Sequence, residues 1–390
     1  MQLKLSVIAF SLLSVLNLQA EDYVNIQYLN YSESDDRTSV SAPAIEINKD
    51  FGLDYTLNLK VVLDSVSGAS PTYYEEKIDT VSTASSTVDT VNSPSAYDTG
   101  ENINKDNIKY GNIEYEEVRK SVSTTLITRM DNRDELTMGL SYSAENDFYA
   151  HGVSMDYLHW TDSSKNTSIN GGVSYQYNQV LVNCIDNVSC DSVSGASEQL
   201  DQNVVSAEVG VMQVLDTTSF VKASLFYTNE SGYLNSPYHN VIVEDNGIYN
   251  IVKENKPEER NAYGVFLKYF KNIDNTTFQL NYRFYKDDWD LTSNMIDFNV
   301  FQQIDDLTIN LGVRYYNQSE VNFYNKNYFD IMDEYKTSDE RLSNFDSFDY
   351  KLGIKYKITD SISYNAGVSL YEQSTGLSAV YFTTGVKYKF

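Results

Sequence analysis

The last segment of the chain alternates with a period of two. Val380, Phe382, Thr384, Val386, Tyr388 and Phe390 share one face, while Ala379, Tyr381, Thr383, Gly385, Lys387 and Lys389 share the other. Side chains on an extended strand point alternately to opposite sides, so this pattern predicts a β-strand with one apolar and one polar face. The pattern returns where Leu53, Tyr55, Leu57, Leu59, Val61 and Leu63 oppose Asp54, Thr56, Asn58 and Lys60. It returns again at 278–284, 307–314 and 348–357, where Leu352, Ile354 and Tyr356 stand against Lys351, Lys355 and Lys357. With 33 tyrosines and 17 phenylalanines against 5 prolines, the composition is that of strands and not of helices.

Such faces suit a soluble sandwich, which turns its polar face to water, or a transmembrane barrel, which turns its apolar face to lipid and its polar face to a wet lumen. Two features favour the barrel. The chain opens with Met1-Gln2-Leu3-Lys4, an apolar run from Leu5 to Leu18 and then Ala20 before Glu21, which predicts a secretory signal peptide over residues 1–20. That run falls short of the about 20 apolar residues of a membrane-spanning helix. The chain also stops at Phe390 with apolar residues two and four before it. This resembles the terminal signal that outer-membrane barrels present to their assembly machinery. A mean hydropathy of −0.42 is no objection, because alternating lumen and lipid positions keeps the average of every strand low.

Short connections at 131–133, 161–165, 215–217, 273–275, 304–306 and 359–361 carry Asp and Asn, which accept tight turns. Long polar connections occupy 65–112, 183–200, 230–258 and 319–344. Strands placed between them give an all-β fold: a single transmembrane antiparallel β-barrel over residues 21–390 with about 16 strands, or as few as 14 if the first two or the 290–303 segment fail. An even count puts both termini on one side, expected to be periplasmic, and the four long connections on the other, expected to be extracellular.

The formal charge is −26, from 55 acidic and 29 basic residues, which argues against a nucleic-acid partner. A hydrophobic content of 41% and abundant aromatics argue that this acidic chain folds. Cys184 and Cys190, the two cysteines, lie close together in a long polar connection of an exported chain, where a local disulfide is expected. Their spacing and the lack of a nearby histidine argue against a zinc or redox pair.

Three short stretches carry a resemblance: Asp64-Ser65-Val66-Ser67-Gly68-Ala69-Ser70-Pro71, Arg314-Tyr315-Tyr316 and Asp339-Glu340-Arg341-Leu342-Ser343. In them the sequence, from about residue 37 to the end, resembles the bacterial family catalogued as domain of unknown function 3570 (DUF3570). The resemblance implies an outer-membrane barrel and brings no activity with it.

The seven residues Asp64 to Ser70 reappear unchanged as Asp191 to Ser197. Asp64, Ser67, Gly68 and Ser70, with Asp191, Ser194, Gly195 and Ser197, are candidate ligand or cation loops, offering carboxylates, hydroxyls and backbone N–H groups to one ligand. The plainer reading is a Gly-centred turn that tucks each loop into the barrel mouth. Alternation places Lys268, Arg283, Arg314, Lys355, Lys357, Lys387 and Lys389 on lumen faces. Rings of one sign of charge set selectivity in pores, so the last four lysines predict a mild anion preference. The alternative is that these cations pair with acids such as Asp54 and Asp349 in a packed interior.

Catalysis finds little support. Histidine is limited to His151, His159 and His239, and no Gly-x-Ser-x-Gly motif marks a nucleophile. His151 and His159 share a strand face at opposite ends, too far apart for one metal. No catalytic, cofactor or metal residue is assigned. The expected function is a channel or the barrel component of a transport or export system. A closed structural or surface ligand-binding barrel is the alternative, and an outer-membrane hydrolase a lesser one. They differ in whether the external loops plug the lumen, since sixteen strands leave room for water. The expected partners are membrane lipid and lipopolysaccharide, the barrel assembly machinery, and an unassigned periplasmic or surface protein.

Overall fold

The computed structural model describes residues 21–35, 37–75, 103–184 and 196–390. The first half of this chain forms β1 (Tyr23–Glu33), β2 (Thr38–Phe51), β3 (Tyr55–Glu75), β4 (Ile108–Arg129), β5 (Glu135–Ala144), β6 (Phe148–Trp160), β7 (Thr167–Cys184), β8 (Ala196–Asp216) and β9 (Ser219–Gly232). The second half forms β10 (Asn240–Asp245), β11 (Ile248–Lys253), β12 (Glu259–Ile273), β13 (Thr276–Asp287), β14 (Thr292–Ile304), β15 (Leu307–Gln318), β16 (Phe329–Asp330), β17 (Phe345–Lys357), β18 (Ile362–Gln373) and β19 (Ser378–Lys389). Among the described residues, sixteen strands close into one barrel in chain order, and β10, β11 and β16 form a separate three-stranded sheet. Every barrel pair is antiparallel, and β1 closes the ring on β19 from Tyr23 opposite Lys389 to Glu33 opposite Ala379. A closed barrel leaves no unpaired edge, which is what a strand protein in lipid requires.

The alternation read from the sequence sets the two faces. Leu280, Phe298, Val313, Tyr350, Leu370 and Val380 are in register across six consecutive strands and all point outward, exposed. Outward aromatics gather at the two ends of the wall. Tyr142, Tyr149, Tyr227, Tyr263 and Phe348 lie toward one end, and Phe51, Tyr55, Tyr157, Tyr356, Tyr388 and Phe390 toward the other. An apolar band between aromatic girdles is the surface that a bilayer covers. No helix among the described residues is long and apolar enough to cross a membrane.

The two ends differ. At the terminal end, where β1 begins and β19 stops, each pair of strands is joined by a short turn. Asp274 and Asp305 take left-handed backbone there, with φ of 51° and 49°, which suits the tight hairpins in which they sit. The long connections all rise from the opposite, loop end.

Two of those connections are shorter than the sequence suggests. Residues 65–75, expected in a loop, continue β3, which pairs with β4 as far as Glu75 opposite Ile108. Likewise β7 and β8 pair up to Cys184 opposite Ala196. Ser65 to Ser70 lacks large apolar residues, so it reads as a turn, but backbone pairing to β2 and β4 on both sides overrides that composition.

Candidate functional site

The connections from β9 to β12 and from β15 to β17 build an ordered cap over the loop end. β10 and β11 form a hairpin around Asn246 and Gly247, both with positive φ, the pairing that a two-residue hairpin turn demands. β16 adds to β10 in parallel. Val241 and Ile251 in this sheet are 0% and 1% exposed. One apolar cluster joins Ile251 to Tyr73 of β3 and to Ile103. A second joins Trp289, Leu291, Val321, Phe323 and Leu342, drawn from two different connections.

The cap crosses the mouth. The connection that carries β10 leaves the ring between β9 and β12, almost opposite β3 in the circle of sixteen strands. Yet the Asn240 backbone N–H donates to Thr72 Oγ1 at 2.7 Å, and Asn240 Nδ2 donates to the Tyr73 carbonyl at 2.9 Å. From the β15–β17 side, the Lys326 carbonyl accepts from the Tyr73 hydroxyl, and Glu340 pairs with Arg37 at 3.3 Å. The Tyr238 hydroxyl reaches Asp147, in the turn between β5 and β6. Strands on several sides of the ring are thus tied to one body lying over the lumen.

Charge inside the cap is paired. Lys256 meets Glu254 at 2.7 Å, Thr337 Oγ1 donates to Glu254 at 2.7 Å, and Arg341 binds Asp339. Burial alone would raise the Asp339 carboxyl, but Arg341, His239 and Lys256 outweigh it and hold it well below the ordinary range. Burial pushes His239 down to about 4, against the pull of Asp339 and Glu254, so the ring is neutral at pH 7. At the base of the cap, Arg260 Nε donates to Asp287 at 2.8 Å and its guanidinium lies 4.6 Å from the Trp289 ring centre. Asp287 also accepts from the Trp289 and Leu291 N–H groups, at 3.1 and 2.9 Å, and so fixes the connection between β13 and β14.

The predicted site residues fall in several places. Asp64 lies on the lumen face of β3, buried and bound by Arg119 Nε at 2.6 Å, so its carboxylate is already engaged. Ser67 and Gly68 lie in the same strand, opposite Ser39 and Thr38, and Ser70 opposite Ile113. None of them forms a Gly-centred turn. Of the second copy, Asp191, Ser194 and Gly195 lie outside the described residues, while Ser197 is the second residue of β8. Cys184 ends β7 and Cys190 lies outside the described residues.

The seven lumen cations do not form a ring of bare charge. Lys389 and Lys387 pair with Glu21 at 2.6 and 3.7 Å, and Lys357 pairs with Asp360 at 2.6 Å. Lys355 lies near the same Glu21 and Lys387. Arg314 shares Asp297 with Lys351, which also reaches Asp349. Lys268 stands opposite Lys222, which pairs with Glu208 at 3.5 Å, and Arg283 lies over the Phe226 ring. The pairing partner expected at Asp54 is instead supplied at the terminal end by Glu21. His151 and His159 both face outward. His151 sits between the rings of Tyr142 and Tyr177, and His159 Nδ1 is 2.8 Å from Asp134.

Over residues 7–386 the sequence matches the family described as Protein of unknown function (DUF3570). The chain belongs to that family. DUF3570 membership, the closed barrel of sixteen strands and its lipid-facing band place the protein in the bacterial outer membrane. No curated protein sequence matches it. Among solved structures it is similar to the ferric enterobactin receptor PfeA of Pseudomonas aeruginosa, at 10% identity over 91% of this chain with a TM-score of 0.45. It covers only 54% of that receptor's length. CdiB from Acinetobacter baumannii is similar at 11% identity and a TM-score of 0.48, with 95% and 60% of the two chains covered. A bacterial polysaccharide outer membrane secretin is similar at 7% identity and 0.48, with 96% and 100% covered.

Proposed function

We propose that the protein is a gated outer-membrane pore, closed at rest by its own loops, with both termini in the periplasm and the cap outside. The observation that carries this reading is the meeting of Asn240 with Thr72 and Tyr73 from nearly opposite sides of the ring. A barrel of sixteen strands is wide enough to hold water, so a cap has something to close. The orientation follows from short turns beside the termini and long connections at the other end, the arrangement of bacterial barrels. Because Glu21, shared by Lys387 and Lys389, and Asp360, paired with Lys357, offset about half the charge of the four terminal lysines, the open pore is expected to be only weakly selective by charge.

The test is single-channel recording in planar bilayers. Wild-type protein should be silent apart from brief openings. Replacing residues 239–254 by a Gly/Ser linker should give a steady conductance several times larger on average. A barrel that stays silent after this replacement would be a closed scaffold and not a pore.

A further inference from the structure

Beneath the cap the lumen has two unlike walls. On β2, β3, β7 and β8 the inward residues toward the loop end are small aliphatics such as Ala42, Ala44, Val66, Val180 and Val204, interspersed with the hydrogen-bonded Asp64, Asn178 and Gln202, all buried. On β15, β18, β19 and β1 the inward residues at this level are Tyr316, Tyr371, Tyr381 and Tyr31, all partly exposed. Tyr31 and Tyr381 are register partners with ring centres 4.6 Å apart.

Three of the tyrosines are anchored by their hydroxyls. The Tyr316 hydroxyl donates to Gln318 at 2.8 Å and the Tyr371 hydroxyl to Gln373 at 2.7 Å, while Tyr31 donates to Glu33. A ring whose hydroxyl is tied to a residue two positions along the same strand face has its long axis along the wall, and the Tyr31 and Tyr381 rings are tilted by 43° to each other. Sideways, Tyr316 also reaches Ser293 of β14, and Tyr371 reaches Ser347 of β17; both serines are buried. On one side the in-register neighbours of Tyr316 and Tyr381 are Ser347 and Ser369, too small to cover a ring, while on the other side Met295 stands beside Tyr316 and Tyr31 beside Tyr381. Asp349 is the register partner of Tyr371 and keeps Oδ1 buried without a hydrogen-bond donor.

Aromatic faces carry negative potential and attract the C–H-rich face of a pyranose, while neighbouring carboxylates and amides exchange hydrogen bonds with its hydroxyls. Lys351 stands 3.6 Å from Asp349 and Arg37 3.7 Å from Glu33, so the acids at this level are paired and hold no bare charge for an ion. A neutral solute rich in hydroxyls suits the partly exposed Ser369 and Gln373 beside the rings. We propose that this tyrosine wall, from β15 to β1 beneath the cap, binds a neutral oligosaccharide. The proposal rests on the pore reading and names the class of solute that the pore would pass.

Binding can be read without conductance, by titrating the refolded full chain in detergent with maltoheptaose and with chitohexaose in a calorimeter. At least one should bind, and polyethylene glycol of similar mass should not. The triple variant Tyr316→Ala, Tyr371→Ala and Tyr381→Ala should weaken binding about tenfold or more, since each stacked ring adds a modest increment. Heat-modifiable gel mobility checks that the triple variant is folded; if it is not, Tyr371→Ala alone should weaken binding about threefold. Absence of binding for both sugars, equal binding of the polymer, or affinity indifferent to these substitutions would overturn the proposal. A protein that binds sugar but never conducts would overturn the pore reading and leave this site standing. One that conducts but binds neither sugar would do the reverse.

Discussion

The barrel wall and the cap bury their apolar residues in opposite directions. On the wall, Leu311 and Val209 are 56% and 53% exposed because lipid is their solvent, and the fold is held by an unbroken ladder of backbone hydrogen bonds. In the cap, Val241 is fully buried, Ile251 and Val321 are shut away from solvent in two small clusters, and much of the remaining cohesion is ionic. A closed ladder cannot open at one place without losing pairs on both sides. A small core stapled by a few polar contacts opens locally at far lower cost. One chain thus carries a rigid frame and a part that can move against it.

The comparison breaks most readily at the base of the cap. Arg260→Ala leaves the Asp287 carboxylate buried without its cation, a loss expected to cost about 3–5 kcal/mol. Hydrogen exchange should rise steeply over 233–258 and 287–291 and remain unchanged in β4 to β8. Equal loss in the wall would show that cap and frame are one cooperative unit. Acid should act next. His239 is held near 4 against an ordinary 6.5, so the unfolded cap takes up a proton that the folded cap refuses. Stability contributed by this group is therefore complete at neutral pH and falls as pH drops from 6.5 toward 4, by about 2 kcal/mol at pH 5. Limited proteolysis of the cap at pH 5 and pH 8 should show this difference, and His239→Asn should abolish it. Thr72→Val removes the hydroxyl that accepts the Asn240 N–H across the mouth, and should cost the cap about 1–2 kcal/mol, seen as more frequent channel openings. Phe390→Ala should change the folded barrel least, by under about 1 kcal/mol, since the exposed ring meets only Lys49 at 5.4 Å and the Tyr388 ring at 6.2 Å among the described contacts. Its effect should fall on outer-membrane levels during assembly.

How much of this was legible follows from where periodicity exists. Strands such as β15, β17 and β19 alternate cleanly, and residues 307–318, 345–357 and 378–389 are recovered within a few positions because one face must meet lipid. The cap has no period, since its sheet is small and irregular and its core draws on remote connections. Its only signal is the presence of Val241, Ile251, Val321, Phe323 and Leu342 inside otherwise polar loops, more apolar bulk than a solvated loop needs. Alternation sets the lysines of the last strands opposite the lipid-facing residues but gives no sign of their partners, because Glu21 lies 368 residues from Lys389 in sequence and only barrel closure brings them together. The repeated heptad misleads in another way. Identical residues promise identical roles, yet Asp64 is consumed by Arg119 inside a strand whose neighbours dictate its conformation.

The central claim is that the cap is what closes the lumen, and a reversible lock tests it most directly. Thr72→Cys and Asn240→Cys, joined with Cys184→Ser and Cys190→Ser, place two thiols where the cap touches β3. With the disulfide formed, planar-bilayer recordings should show no openings; after reduction, openings should return at or above the wild-type frequency. Conductance that is the same before and after reduction would mean that current does not pass under the cap, and the account of a gated mouth would fail.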